Sequence, residues 1–244
     1  MKIILLNSGI GKRLAPLTNN TPKCLVKIRN NETILDHQLK NILKLGFKDF
    51  IITTGPFENR IKKHIKQHYP SIKVQYVNNP LYNKTNYIYS LYLAKDIIND
   101  DVLYSHGDLI FSENLVKLLI ESNNKDCVLV NRDIPPPEKD FKSIIMNNRV
   151  YKIGVNLKGN NTAFLAPLYK LSKEFMLRWL QEIEDFINNS KVNCYAEDAL
   201  NEILDLLILK PCYYDEFCVE IDDHEDLEGV KNYLNKNKQN YKIS

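Results

Sequence analysis

Lys2-Ile3-Ile4-Leu5-Leu6-Asn7-Ser8-Gly9-Ile10-Gly11-Lys12-Arg13-Leu14 is the stretch on which the fold turns. A short apolar run stops at Asn-Ser-Gly, as a buried parallel strand does. Two glycines two residues apart then let the backbone turn sharply and aim successive N–H groups at a phosphate. A dinucleotide-binding turn requires a third glycine and an immediate helix. Here Arg13 replaces further glycine and Pro16 interrupts the helix. A Gly-Lys-Ser/Thr phosphate loop is also absent from this turn. Taken alone, the stretch reads equally well as an ordinary strand–turn.

Working outward, apolar strands alternate with helical patterns. Leu35, Leu39, Ile42, Leu43 and Leu45 recur at helical spacing before Gly46, a C-cap. Phe50–Thr54 is the second strand, ending at Gly55. Glu58–His68 reads as a helix, Lys73–Val77 as a strand, Tyr87–Ile97 as a helix and Val102–His106 as a strand before Gly107-Asp108. Such alternation predicts an α/β fold: a doubly wound, mostly parallel, Rossmann-like sheet whose ligands sit beyond the strands' carboxyl ends. Cys127–Val130 is a further strand. Phe141–Met146 and Arg149–Val155 are expected to form a hairpin across Asn147-Asn148, serving as a lid or a homodimer contact. C-terminal helices are expected after Ser172 to about Ile187 and over Ala196–Leu207. A final strand over Tyr213–Ile221, a helix over Glu225–Leu234 and a frayed tail from Lys236 complete the expectation.

Bulk properties exclude several classes. Net charge is +3 over 244 residues, with both signs interspersed. No basic stripe points to nucleic acid. Apolar runs are too short to span a membrane, and the N-terminus does not resemble a signal peptide. Five dispersed cysteines without a CxxC pair read as reduced thiols in a cytoplasmic protein.

Beyond the first turn come Pro16-Leu17-Thr18 and Pro22-Lys23-Cys24-Leu25. Arg13 and Lys23, each near prolines, make a rigid cationic loop suited to a triphosphate; the competing reading is a solvated basic loop. The pattern Gly-x-Gly-x-Arg-Leu-x-Pro-Leu-Thr-x-x-x-Pro-Lys-x-Leu, Gly9 through Leu25, resembles the signature of the sugar-nucleotidyltransferase superfamily. It departs only at the front, where the usual Ala-Ala-Gly reads Asn7-Ser8-Gly9. Asn79-Pro80-x-Tyr82-x-x-Thr85-Asn86-x-Ile88-Tyr89-Ser90-Leu91 resembles cytidylyltransferases acting on phosphocholine and aminoethylphosphonate.

The resemblance implies one nucleotidyltransferase domain over 1–244. Its nucleotide-binding core is 1–130, its acceptor-binding or lid region 131–212, and its closing strand and helix 213–244. Asn7, Ser8, Gly9, Gly11, Gly55, Asn86 and Ser90 are expected around CTP; Asn86 and Ser90 lie four apart on one helix face. The resemblance assigns Mg²⁺ to Asp108 and Asp222, although Asp222-Asp223 also suits helix capping before Glu225. An acceptor phosphate or phosphonate is already anionic and needs no general base. Arg13 on the leaving phosphates and Lys23 near the α-phosphate would supply catalysis. For the acceptor, Lys142 is a candidate for the phosphonate and Glu197-Asp198 for an ammonium, though acids also favour a first helical turn. Trp179, Tyr195 and Tyr213 are candidate cage aromatics, against an ordinary core role. Phosphocholine, 2-aminoethylphosphonate, hydroxyethylphosphonate and an amino-acid phosphate such as phosphoglutamine stay open. Two rivals remain: a uridylyl- or thymidylyltransferase acting on a sugar-1-phosphate, and a non-catalytic nucleotide-binding regulatory module.

Overall fold

Alternation within the first strand, β1 (Lys2–Asn7), sets the architecture of the computed structural model, which describes residues 1–159 and 161–240. Ile3 and Leu5 enter one apolar cluster while Ile4 and Leu6 enter another, so the strand is buried on both faces. A strand of that kind needs helices above and below it. After β1 come the short antiparallel pair β2 (Lys27–Arg29) and β3 (Glu32–Thr33), then helix α1 (Ile34–Leu43). Thr33 caps α1 reciprocally with Asp36. The chain continues through β4 (Asp49–Thr54), α2 (Glu58–His68), β5 (Lys73–Asn78), α3 (Tyr87–Leu93) and β6 (Val102–His106). The expected helix over Tyr87–Ile97 therefore stops at Leu93, and Lys95–Ile97 form a separate 3₁₀ turn.

Pairing is parallel from β6 through β1 and β4 to β5. The chain thus runs outward from β1 through β4 to β5 and then crosses back to β6 on the other side of β1, and the crevice between the ends of β1 and β6 is the switch point where such sheets bind ligands.

Next come β7 (Leu109–Ile110), α4 (Glu113–Glu121), β8 (Cys127–Asn131), β9 (Lys142–Met146), β10 (Arg149–Gly154) and β11 (Thr162–Leu171). Helices α5 (Lys173–Asn188) and α6 (Ala196–Asn201), strands β12 (Lys210–Tyr213) and β13 (Val219–Glu220), and helix α7 (His224–Asn240) follow. The β9–β10 hairpin turns at Asn147 (φ 50°) and Asn148 (φ 55°), the left-handed pair expected there. It extends the main 9-stranded sheet through β9–β11 pairing.

Other sequence expectations change as well. β11, absent from the sequence reading, is the hub of the antiparallel half: one edge pairs with β9 and then β6, the other with β8. The strand expected over Tyr213–Ile221 divides into β12, parallel to β8, and β13, antiparallel to β7. The helix expected over Ala196–Leu207 ends at Asn201, and α7 runs on through Asn240 where fraying was expected; the remainder of that tail, 241–244, lies outside the described residues.

Two large apolar clusters cover the faces of the sheet, one under α3, α5 and α6, the other under α1, α2 and α4. A third joins Leu14 to Leu227, Val230 and Leu234, docking α7 against the glycine turn. No helix among the described residues is long and apolar enough to cross a membrane.

Candidate active site

A cleft of about 480 Å³ opens at the switch point. One wall is the glycine turn. Gly11 has φ +70°, and Thr18 Oγ1 donates to its carbonyl at 2.8 Å, closing the turn. Ser8 Oγ donates to Thr53 Oγ1 at 2.9 Å, and Asn7 N donates to the same oxygen at 3.0 Å. Gly55 lies directly behind, where a Cβ would meet Ser8 O at 2.4 Å; only glycine allows that approach. Ser8, Gly9 and Arg13 face the cleft, whereas Asn7, Gly11 and Gly55 support the wall from behind.

Beside the turn lies a chain of alternating charges. Lys23 Nζ donates to Asp108 Oδ2 at 2.5 Å and to Asp222 Oδ1 at 2.9 Å. Arg13 reaches the same Asp222 oxygen at 2.9 Å. Burial would lower the Lys23 ammonium, but the two carboxylates outweigh it and hold it above its ordinary value. Burial would likewise raise Asp108, and Lys23 outweighs it in the other direction. Asp108 Oδ1 is buried and has no partner.

Deeper in, His106 donates from Nδ1 to Glu220 Oε1 at 2.9 Å, and its Nε2 faces Glu197 Oε1 at 3.8 Å. Burial alone would lower this imidazole, yet the two glutamates raise it to about 10, so it is held as the cation. Glu220 is pushed up to about 7 by burial and by the charges of Asp108 and Asp222, against the pull of His106. Glu197 is fully buried, accepting from Tyr169 OH at 3.1 Å and from Tyr87 OH. Tyr87, Phe141 and Tyr195 surround this corner: Phe141 meets Tyr195 edge-on at 5.0 Å, and Tyr87 meets His106 at 4.8 Å.

On the far side, Asn79 Nδ2 donates to Ser90 Oγ at 3.0 Å and to Thr85 Oγ1 at 3.1 Å. Asn86 caps α3, and both Asn86 and Ser90 line the cleft as expected for one helix face. Asp108 and Asp222 line it as well.

The acceptor candidates fall elsewhere. Lys142 is buried, and its ammonium donates to the carbonyls of Glu138 and Asp140 at 3.0 Å each and of Val155 at 2.7 Å. It is not part of the cleft lining; Lys139 is. Asp198 Oδ2 accepts from Tyr195 N at 2.8 Å and so serves the start of α6, while Glu197 reaches the cleft only through Tyr87 and His106. Of the cage candidates, Tyr195 lines the cleft; Trp179 is core, its indole donating to Ala196 O, and Tyr213 stacks under Arg132 on β12. Sequence reasoning missed Tyr87 and Phe141 as cleft aromatics and did not place His106 among the site residues. A polar residue closing a buried strand next to Gly-Asp was the available signal for His106.

The sequence profile described as Nucleotidyl transferase matches residues 2–145. Among curated relatives, a CTP:phosphoglutamine cytidylyltransferase of Campylobacter jejuni is 24% identical over 200 residues, covering 76% of this chain and 77% of the relative. A choline-phosphate cytidylyltransferase of Streptococcus pneumoniae is 27% identical over 210 residues, covering 81% and 89%. Among solved structures, CTP:phosphocholine cytidylyltransferase from Streptococcus pneumoniae superposes with a TM-score of 0.79 at 21% identity, over 96% of this chain and 98% of that one. At that identity the superposition speaks for the fold.

Proposed function

Because the chain belongs to the nucleotidyl transferase family, we propose that it transfers CMP from CTP to a small phosphorylated or phosphonylated acceptor and releases pyrophosphate. The observation that carries this reading is the Lys23 ammonium shared between Asp108 and Asp222 beside a glycine turn at the sheet's switch point. The two relatives named as cytidylyltransferases support CTP as the donor.

In the reaction, an acceptor oxygen attacks the α-phosphorus of CTP. The bond from that phosphorus to the bridging oxygen breaks, and its electron pair leaves with pyrophosphate. An ionised acceptor brings no proton that must be removed, so the work is to hold two anions in line and to stabilise the departing charge. Arg13, more than half exposed at the cleft mouth, suits the leaving phosphates. Lys23, held cationic and largely buried, suits the α-phosphate.

The residues present fit Mg²⁺. Asp108 offers a buried, unpartnered oxygen, and Asp222 presents a second hard donor next to it across Lys23. His106 and Glu220 also lie close to Asp108, but they satisfy each other, and an imidazole suits softer metals. When bound, Mg²⁺ supplies charge neutralisation for the triphosphate and the leaving pyrophosphate.

Ser8, Gly9, Asn79, Asn86 and Ser90 offer polar contacts for the nucleoside. Tyr87, Phe141 and Tyr195, backed by two glutamates against one imidazolium, favour an acceptor with a cationic head. Phosphocholine, 2-aminoethylphosphonate and an amino-acid phosphate all meet that description. Free thiols at all five cysteines suit a reducing cytoplasm.

Pyrophosphate release tests the reading, with CTP, UTP, dTTP, ATP and GTP each run in Mg²⁺ against a panel of small phosphates, phosphonates and sugar-1-phosphates. Release with CTP and an amino-bearing acceptor is expected. Release only with UTP or dTTP and a sugar phosphate would keep the chemistry but replace donor and acceptor. Silence across the panel, with nucleotide still bound, would leave a binding module in place of an enzyme.

A further inference from the structure

Two phosphate-bearing substrates have to meet in this cleft, and the cations so far described attend only one of them. Among the described residues lining the cleft, the basic side chains are Arg13, His106 and Lys139. Arg13 belongs to the triphosphate side, paired with Asp222, and His106 is committed to Glu220. Lys139 stands on the segment that joins β8 to β9, two residues before Phe141, whose ring is part of the aromatic corner. Its ammonium bonds the Asp226 oxygen that also accepts from the backbone of Asp222, so its charge lies between the Asp222 end of the cleft and the proposed seat of the acceptor's cationic head.

The attachments of Lys139 are of the exchangeable kind. Its ammonium pairs with Asp223 Oδ2 at 2.7 Å and with Asp226 Oδ2 at 2.6 Å, while the side chain is 36% exposed. Ion pairs at such exposure are weak. Both carboxylates keep other donors if Lys139 leaves. Asp226 Oδ2 accepts from the backbone N–H of Asp222 at 2.8 Å, and Asp223 Oδ1 accepts from those of Glu225 and Asp226 at 3.0 and 3.1 Å. A phosphate arriving in the cleft can take the ammonium without stranding either acid.

Lys142 explains why the position is steady. Its buried ammonium holds the carbonyls of Glu138 and Asp140, the two residues flanking Lys139, and ties them to Val155 on the far side of the hairpin. Pro135-Pro136-Pro137 stiffen the approach to the same point.

We propose that Lys139 receives the acceptor's phosphate or phosphonate, and that Lys142 is the positioning residue that fixes the backbone on either side of it. The proposal rests on the cytidylyltransferase reading and adds the acceptor's anionic contact. Lys139 exchanges Asp223 and Asp226 for the incoming anion, and the aromatic corner takes the other end of the molecule.

Calorimetry separates this from a structural latch. Phosphocholine, 2-aminoethylphosphonate and, as the phosphate-free control, choline would be titrated into the full chain with Mg²⁺ and α,β-methylene CTP. Lys139→Gln should weaken the tightest phosphate-bearing probe roughly 10–100-fold, the loss of one charged hydrogen bond. The same variant should leave choline and the CTP analogue unchanged, and Lys139→Arg should restore most of the affinity. Asp223→Asn, which keeps the backbone hydrogen bonds but removes one of the two carboxylates that hold Lys139, should bind the phosphate probe at least as tightly as the unaltered protein. Equal weakening in Lys139→Gln and Asp223→Asn would show a latch and overturn the proposal, as would unchanged binding in Lys139→Gln. Nucleotide binding without binding of either phosphate probe would overturn the acceptor assignment alone. No nucleotide binding would overturn the cytidylyltransferase reading and this inference together.

Discussion

Replacing Lys23 with Met should destabilise the protein by an amount that can be worked from its contacts. Lys23 is the side-chain cation on Asp108, whereas Asp222 keeps Arg13 at 2.9 Å after the change. Removing one partner of a buried pair costs about 3–5 kcal/mol. With one of the two acids still paired and Asp108 23% exposed, the lower end applies, about 3 kcal/mol. For a domain of this size that is a fall in Tm of roughly 6–12 °C. Asp108 can relieve the strain by taking a proton. Its carboxyl lies below the ordinary value in the unaltered protein because Lys23 outweighs burial, and it should rise once Lys23 is gone. The sign follows: the stability that the pair confers is present above the unfolded carboxylate value of about 3.9 and is lost as pH falls through the lower folded value. The deficit of Lys23→Met should therefore be full at about pH 7, start to shrink as pH falls through the variant's raised carboxyl value, and close only below about 3.9, where the native carboxylate gains its proton. Adding Asp108→Asn should recover most of the loss, because it removes the stranded charge. Thermal denaturation of the four proteins across pH is the assay. A single variant within about 1 kcal/mol of the unaltered protein, or a double variant no better than the single, would refute the charge-sharing account.

Asp108→Asn by itself should abolish Mg²⁺-stimulated pyrophosphate release, and retained stimulation would remove Asp108 from the metal site. Gly55→Ala should cost about 3 kcal/mol or more by denaturant titration, since its Cβ would lie 2.4 Å from the carbonyl of Ser8. Gly229→Ala, in the body of α7 with nothing within 4 Å, should instead stabilise by about 0.5–1 kcal/mol. Asp36 accepts from His64, Thr33 and Tyr69, and these donors outweigh burial to hold its carboxyl well below the usual range. Asp36→Asn should thus lower Tm at about pH 7, and the two proteins should converge only once pH falls well below about 3.9, where the native carboxylate gains its proton.

The parallel half was legible because β1, β4 and β6 are apolar runs closed by polar or glycine signals, and because helix α2 sits between unambiguous boundaries. Asn147-Asn148 announced the hairpin by the same local logic. β11 was not legible, since Pro167 lies in its middle and proline argues against a central strand. The ladder to β8 shifts register between Ala166 and Tyr169, which leaves Pro167 out of the pairing. α4 was overlooked although Ser112 caps it, its side chain accepting from Leu115 N. In the site, the glycine turn, Arg13, Lys23, Asp108 and Asp222 were all visible as motif residues, and they come together. Lys142 was named as the phosphonate candidate and Lys139 was not. What separates them is that three carbonyls converge on one ammonium, which depends on how 138–155 folds back on itself. Tyr87, Phe141 and Tyr195 likewise meet only through tertiary packing.

β11 also bears on how the chain comes to be made. β6 and β8 precede it by many residues, do not pair with each other, and each waits for β11 to cover an edge. During synthesis the four parallel strands can assemble while β6 still presents an open row of backbone donors and acceptors, and open edges recruit other chains. A ribosome paused before residue 162 would hold such an intermediate. Shortened fragments ending there should aggregate, and the growing chain should lean on chaperones until Thr162–Leu171 emerges and closes the seam.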